Sequence, residues 1–299
     1  MSYIIAIGAY LFLLMIYGLV IAHKKVKTAD DMVTGGHRIP FIILVGSLLA
    51  TWCGGGGITG NASIIYNGGP WVGAITFAAP PIGIILLYFI AGKVRKSNKV
   101  TVPEIMGARY GQSASIISAV CVMLAYVGVL ATQLKAAADI LVLLCSSSGV
   151  EISRGLALVI CTTIIVVITV GGGLVSVAYS DAISALIMIG GFFIAIPILI
   201  SVANAQGAVL PPEKTTLTGG MSGWELLGYF LPSLALMLGD QNMLQRFASA
   251  KNSTEAKKSN IGMFIGEILV IVSIIAVVTQ AARLYPTLDT PSNVIFQVS

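Results

Sequence analysis

The chain has 299 residues, of which 57% are hydrophobic and only 10% charged, with a formal net charge of +5. Soluble domains carry about 25% charged residues, so soluble, disordered and nucleic-acid-binding classes are excluded. What remains is an all-α polytopic membrane protein whose surroundings are a lipid bilayer, because apolar runs repeatedly reach spanning length.

Eight spans are predicted, at about 2–22, 40–66, 71–92, 112–145, 155–172, 177–203, 224–246 and 259–284. The first has no basic residues ahead of it and a basic cluster behind it, so it reads as an uncleaved span and not a secretory signal. The loop that follows holds Lys24, Lys25, Lys27 and Arg38, together with both histidines, His23 and His37, which are expected to be solvated.

The second span contains Ala50-Thr51-Trp52-Cys53-Gly54-Gly55-Gly56-Gly57. Each interior glycine costs a helix about 1 kcal/mol relative to alanine, so the run at Gly54, Gly55, Gly56 and Gly57 predicts a helix break. Backbone freed at mid-membrane survives only where it is buried in protein or lines a cavity. Broken helices of this kind present carbonyls to cations in secondary transporters. Close helix packing through the Gly56-x-x-x-Gly60 pair is the competing explanation.

Pro80-Pro81 are expected to interrupt or kink the third span. The fourth, 112–145, would be about 50 Å long as a straight helix, so it must tilt strongly or protrude. Lys135 and Asp139 lie four apart on it and are expected to pair with each other. The link Gly171-Gly172-Gly173-Leu174-Val175-Ser176 is predicted to be a tight glycine turn between the fifth and sixth spans. Asp181, near the start of the sixth, is either an interfacial acid or a waypoint for an inward-moving cation, and Pro197 further along is expected to interrupt or kink that span. A polar stretch at about 204–222 is the longest in the chain and shows no periodic pattern.

In the seventh span Glu225 marks an outer interface, and Pro232 is expected to break the helix as the glycines break the second. Asp240 and Gln241 near its inner end are either a solvated helix end or part of a site. Glu267, in the last span, is expected to face a neighbouring helix. Thirteen of the 17 lysines and arginines fall in the loops after the first, third and seventh spans, which lie on one side by parity. The positive-inside rule makes that side cytoplasmic and puts the N-terminus outside.

The cysteines Cys53, Cys121, Cys145 and Cys161 lie in or beside apolar runs without metal-ligand spacing, so neither a zinc site nor a disulfide framework is expected. No nucleophile–base pair, metal cluster or phosphate loop points to an enzyme.

Four motifs in order resemble those of the sodium:solute symporter family. They are Gly35-Gly36-His37-Arg38; Ala50 to Gly56; Gly172-Gly173-Leu174-Val175-Ser176-Val177-Ala178-Tyr179-Ser180-Asp181; and Asp240-Gln241-Asn242-Met243-Leu244-Gln245-Arg246 with Ser249-Ala250-Lys251. The resemblance implies the leucine-transporter-like inverted-repeat fold and sodium-coupled symport of a small organic solute across the cell membrane. It also implies a co-transported sodium ion, and no other metal, on backbone carbonyls at about Ala50 and Cys53, completed by hydroxyls from a later helix. Residues 1–22 would be the extra N-terminal helix, 40–203 the first five-helix repeat and 224–285 the first two helices of the second. Residues 286–299 would begin an outer loop in which the chain stops, leaving the fold incomplete.

In wording the motifs are most similar to the choline-transporter-like subgroup. Trp52 matches one position of an aromatic cage for a quaternary ammonium. Ile84 and Asp240 stand at two others, so the solute is expected only to be small and organic. Trp52, Asp181, Asp240 and Gln241 are the substrate-pathway candidates, with substrate expected beside the break, against 224–246 and 112–145. Two further readings are a membrane sensory module and a truncated transporter that carries nothing.

Overall fold

The computed structural model describes residues 2–288, 291 and 294–297. Val298 and Ser299, the end of the expected outer-loop segment, lie outside the described residues, as do Asp289, Thr290, Ser292 and Asn293. The described residues form helices and no strand; an isolated bridge pairs Ile39 with Ala250.

The helices run in the order α1 (Ser2–Lys25), α2 (Ala29–Thr34), α3 (Phe41–Trp52), α4 (Gly55–Gly68), α5 (Pro70–Thr76), α6 (Ala79–Ser97) and α7 (Val102–Tyr110). There follow α8 (Gln112–Ser147), α9 (Arg154–Ala205), α10 (Gly223–Gly239), α11 (Gln241–Ser249), α12 (Ser253–Leu284) and α13 (Val294–Gln297). Among the described residues α1, α8, α9, α12 and the α5–α6 stretch Pro70–Ser97 are long and apolar enough to cross a membrane, five in all, or six where the bent pair α3–α4 counts as one span; eight were expected. The protein is therefore a multi-pass membrane protein.

The fifth and sixth predicted spans are joined more tightly than expected. Helix α9 is assigned over 52 residues, and Gly173 is its residue with non-helical dihedrals, φ 55° and ψ −149°. Unbroken, such a helix would be about 78 Å long against a hydrocarbon core of about 30 Å. Gly173 therefore divides α9 into two arms of spanning length, and the expected turn over 171–176 contracts to one residue. Glycine is required there twice over: φ is positive, and a Cβ would stand 2.5 Å from the Met32 carbonyl oxygen.

The prolines do less than predicted. Pro80 and Pro81 sit in the first turn of α6, where a missing N–H costs no intrahelical bond, and the interruption falls just before them, between α5 and α6. Helix α10 runs through Pro232 and ends at Asp240, whose dihedrals (φ −66°, ψ 114°) are extended. The break in the seventh span thus lies eight residues beyond the proline.

Polar residues set several boundaries. Thr28 and Asp31 form a reciprocal capping box at the start of α2, and Ser222 and Glu225 form another at the start of α10. Glu225 accordingly marks the entry to the seventh span. Helix α8, 36 residues long, is longer than a straight crossing needs, and near its start Gly107 of α7 lets Ser115 approach closely.

The chain divides into two compact units. The first comprises Met1–Gly56, Ile90–Ser184 and Gln241–Ser259; the second comprises Gly57–Phe89, Ala185–Asp240 and Asn260–Ser299. The core of the first gathers Leu44, Leu48, Ala138, Val175, Met243 and Phe247. That of the second gathers Ile65, Val72, Ile84, Leu87, Met237, Val270 and Val278, with Glu267 of α12 buried among them at 2% exposure.

Candidate functional site

The break in the second span is real but shorter than the glycine run. Helix α3 ends at Trp52, Cys53 caps it at φ −82° and ψ 40°, and α4 resumes at Gly55, with a bend of 57° across the break. Only Gly54 of the four glycines lies outside a helix; Gly55, Gly56 and Gly57 form the first turn of α4.

Space is tight at Gly54 and ordinary at Gly55. A Cβ at Gly54 would collide with the Gln133 side chain of α8, and one at Gly55 would touch Ala136 Cβ at 3.6 Å. Nothing stands within 4 Å of a Cβ at Gly60, so the Gly56-x-x-x-Gly60 pair is not a packing seam. The glycine run admits α8 to the break.

A helix end leaves its last four carbonyls without an intrahelical donor. At α3 the Leu49 carbonyl is taken by the Cys53 N–H at 2.8 Å. Helix periodicity supplies no such donor for the carbonyls at the end of α3 that follow, and Ala50 and Trp52 sit there, both half-buried. The turn thus offers carbonyl oxygens of the kind that coordinate a hard monovalent cation.

One turn back along α3 the sequence missed a residue. Ser47, fully buried, donates from Oγ to Asp181 Oδ2 at 2.8 Å and accepts from Arg246 Nε at 2.8 Å. Arg246 Nη2 reaches the same Asp181 Oδ2 at 3.2 Å, and Nη1 donates to the Asn242 carbonyl at 3.4 Å. Helix α9 thus presents Asp181 to α3 and α11. Its side chain keeps 24% exposure, against 5% for Arg246. A lone serine in an apolar run carries no sequence signal of its own. The recoverable signal was that Asp181 and Arg246, one acid and one base in two family-like motifs, lacked partners nearby.

Gln241 is held by two hydrogen bonds. Its Oε1 accepts from the Val102 N–H at 2.7 Å and its Nε2 donates to the Val100 carbonyl at 3.2 Å, clamping the loop before α7. The neighbouring Asn242 N–H donates to Tyr126 Oη of α8 at 3.2 Å. Gln245 donates to the Val33 carbonyl at 2.9 Å. The motif from Gln241 onward is a fastening, not a solvated helix end. Asp240 ends α10 in the second unit and is 9% exposed.

His37 is a further correction. Its Nδ1 lies 2.6 Å from the Ala248 carbonyl, and because a carbonyl only accepts, Nδ1 carries the proton. The half-buried ring is thus a loop-to-helix tie; His23 remains exposed, as expected. Asp139 pairs not with Lys135 but with Arg154, 2.8 Å away at the start of α9. Among the described residues no cluster of histidine, cysteine or acidic side chains forms a metal site.

The family model described as "Sodium:solute symporter family" matches residues 32–294. The high affinity choline transporter 1 of Homo sapiens is 25% identical over 276 residues, covering 85% of this chain and 46% of that protein. The sodium/glucose cotransporter 4 of Danio rerio is 26% identical over 266 residues, or 78% of this chain and 39% of that one. The sodium/sialic acid symporter NanT of Aliivibrio fischeri is 25% identical over 273 residues, covering 86% and 52%. The chain spans about half the length of the curated relatives it matches.

A solved structure of a Na+-coupled sialic acid symporter, in a substrate-bound outward-open state, superposes with a TM-score of 0.78 at 18% identity, covering 98% of this chain and 64% of that one. The fold is thus the leucine-transporter-like one expected from the motifs. With a family match over residues 32–294 and motifs in register, this chain belongs to the sodium:solute symporter family.

Proposed function

We propose that the protein of which this chain is part performs sodium-coupled symport of a small organic solute across the cell membrane. The observation that carries the reading is the two-residue break at Cys53–Gly54, bent by 57° and lined by the carbonyl end of α3. Sodium binds at the backbone of Ala50 and Cys53, and Trp52, between them in sequence, offers an aromatic face to the solute. Family membership supports the coupling ion; the names of the relatives, which include choline, glucose and sialic acid transporters, leave the solute open.

Asp181 serves as a waypoint for the cation leaving inward. It is a carboxylate on α9, joined to α3 through Ser47, one turn back from Ala50, and partly neutralised by Arg246. The cation-rich loops put that side in the cytoplasm.

The test is uptake by the full-length protein in proteoliposomes under an inward sodium gradient, with radiolabelled choline, glucose and sialic acid as probes. Uptake of one probe that collapses when potassium replaces sodium is expected. Radiosodium entry that stays unchanged with every probe, and uptake that ignores the gradient, would sink the reading.

A further inference from the structure

The second unit contains a buried lysine that neither the family motifs nor the break explains. Lys214 sits in the turn Pro212–Thr215 within the polar stretch 204–222, where the flanking residues Glu213 and Thr215 are exposed. Lys214 itself is only 8% exposed, and its Nζ lies 4.0 Å from the centroid of the Tyr66 ring on α4. Tyr66 is in turn 3% exposed and donates from Oη to the Tyr285 carbonyl at 2.6 Å.

The backbone is drawn in at two places beside this contact. Gly69 (φ +90°) has the Lys214 carbonyl oxygen where a Cβ would stand, and Gly219 (φ +57°) has the Gly68 carbonyl oxygen in the same position. Any side chain at either glycine would push the stretch away from the end of α4. Burial pulls the Lys214 ammonium below its usual lysine range, with Glu213 opposing. A charge set at that cost on an aromatic face, flanked by two glycine-permitted approaches, marks a specific attachment and not a loop that happens to lie there.

We infer that the 204–222 segment is a strap on the outer end of α4, with Lys214 as the positioning residue that fastens it through Tyr66. The inference rests on the transport reading above, in which α4 is the outer half of the broken span. Helix α4 is 14 residues long and starts at the break, so a constraint at Tyr66–Gly69 acts on one rigid half-helix. Fastened, α4 holds one position; released, it is free to take another, and turnover needs both.

A cation–π contact of about 0.5–2 kcal/mol corresponds to about a 2- to 30-fold change in an opening equilibrium. Hydrogen exchange on the full-length protein in nanodiscs, followed over residues 63–69, reads that equilibrium. Lys214→Met keeps the apolar stem and removes the charge; Lys214→Arg keeps a cation on the ring. Exchange at 63–69 is expected to rise by about 2- to 30-fold in Lys214→Met and to stay near wild type in Lys214→Arg, with slower sodium-driven uptake in Lys214→Met alone.

Unchanged exchange in Lys214→Met overturns the strap, and so does faster exchange with wild-type uptake, which would make the contact a passive anchor. Were the wild type itself to carry no solute, the transport reading would fall, and with it the role in turnover. The exchange arm would still decide whether Lys214 fastens α4.

Discussion

Asp181 and Arg246 share one carboxylate oxygen, Oδ2, at 3.2 Å, and Ser47 stands between them, donating to the first and accepting from the second. The three residues come from helices far apart in the chain and fix α3, α9 and α11 to one another. Because Arg246 is 5% exposed, removing its partners leaves a desolvated charge, which costs more than the contact contributes. Asp181→Asn is expected to lower stability by about 3 kcal/mol. Ser47→Ala is expected to cost about 1–2 kcal/mol, the penalty of an unmade bond. Thermal unfolding of the purified full-length protein, run as a double-mutant cycle, should show coupling between the two; simple additivity would mean that Ser47 does not bridge them.

Gly54 faces the Gln133 side chain, so the cost of a larger residue there depends on Gln133. Gly54→Ala is expected to cost up to about 1 kcal/mol, because the flexible end of Gln133 can move aside, and to slow sodium-driven uptake. Adding Gln133→Ala should recover part of both. Failure of the second substitution to restore either would place the defect in the backbone and not in the contact with α8. Gly55→Leu, which must displace Ala136, is expected to abolish uptake.

Gly173 combines a positive φ with a carbonyl oxygen at the Cβ position, so no rotamer change relieves a substitution. Gly173→Ala is expected to cost about 2 kcal/mol or more, and Gly173→Val further still. Proteolysis of the full-length protein should then cut near Met32, the segment the new methyl group displaces. An unaltered cleavage pattern would contradict the close approach seen between Gly173 and Met32.

The carboxylate of Asp31 is held below its usual value, first by the Lys27 N–H and then by the Thr28 hydroxyl. A group whose folded pKa is depressed stabilises the fold above its unfolded pKa, and that contribution disappears as pH falls through the folded value. Amide exchange at residues 28–34 should therefore accelerate as pH drops below about 4, after correction for the intrinsic rate. Asp31→Asn should make the corrected rate flat with pH. A wild-type profile that is already flat would show that the capping box does not hold the start of α2.

What could be read from the sequence followed from composition and period. Apolar length located α1, α8 and α12, and the glycine run located the break to within a residue, since a helix penalty of a few kcal/mol has few other consequences. The distribution of lysine and arginine gave an orientation, and four motifs gave the family. Partner choice was a different matter. Asp139 was assigned to Lys135 because the two share a helix face, yet Arg154, fifteen residues away, takes it. His37 looked like a loop residue because nothing in the sequence indicates that Ala248 offers a carbonyl 2.6 Å away. Pro232 illustrates the reverse error: a strong local breaker is accommodated inside α10, and the helix ends at Asp240 instead. The Ser47 bridge and the Lys214 attachment both depend on tertiary approach, which no local period encodes.

The lone non-helical residue at Gly173 also constrains the angle between the two arms of α9. They share no polar loop, because helix resumes on either side of a single residue. With no loop to take up a change of direction, whatever angle the two arms adopt is set at Gly173 alone, beside the Met32 carbonyl of a segment about 140 residues earlier.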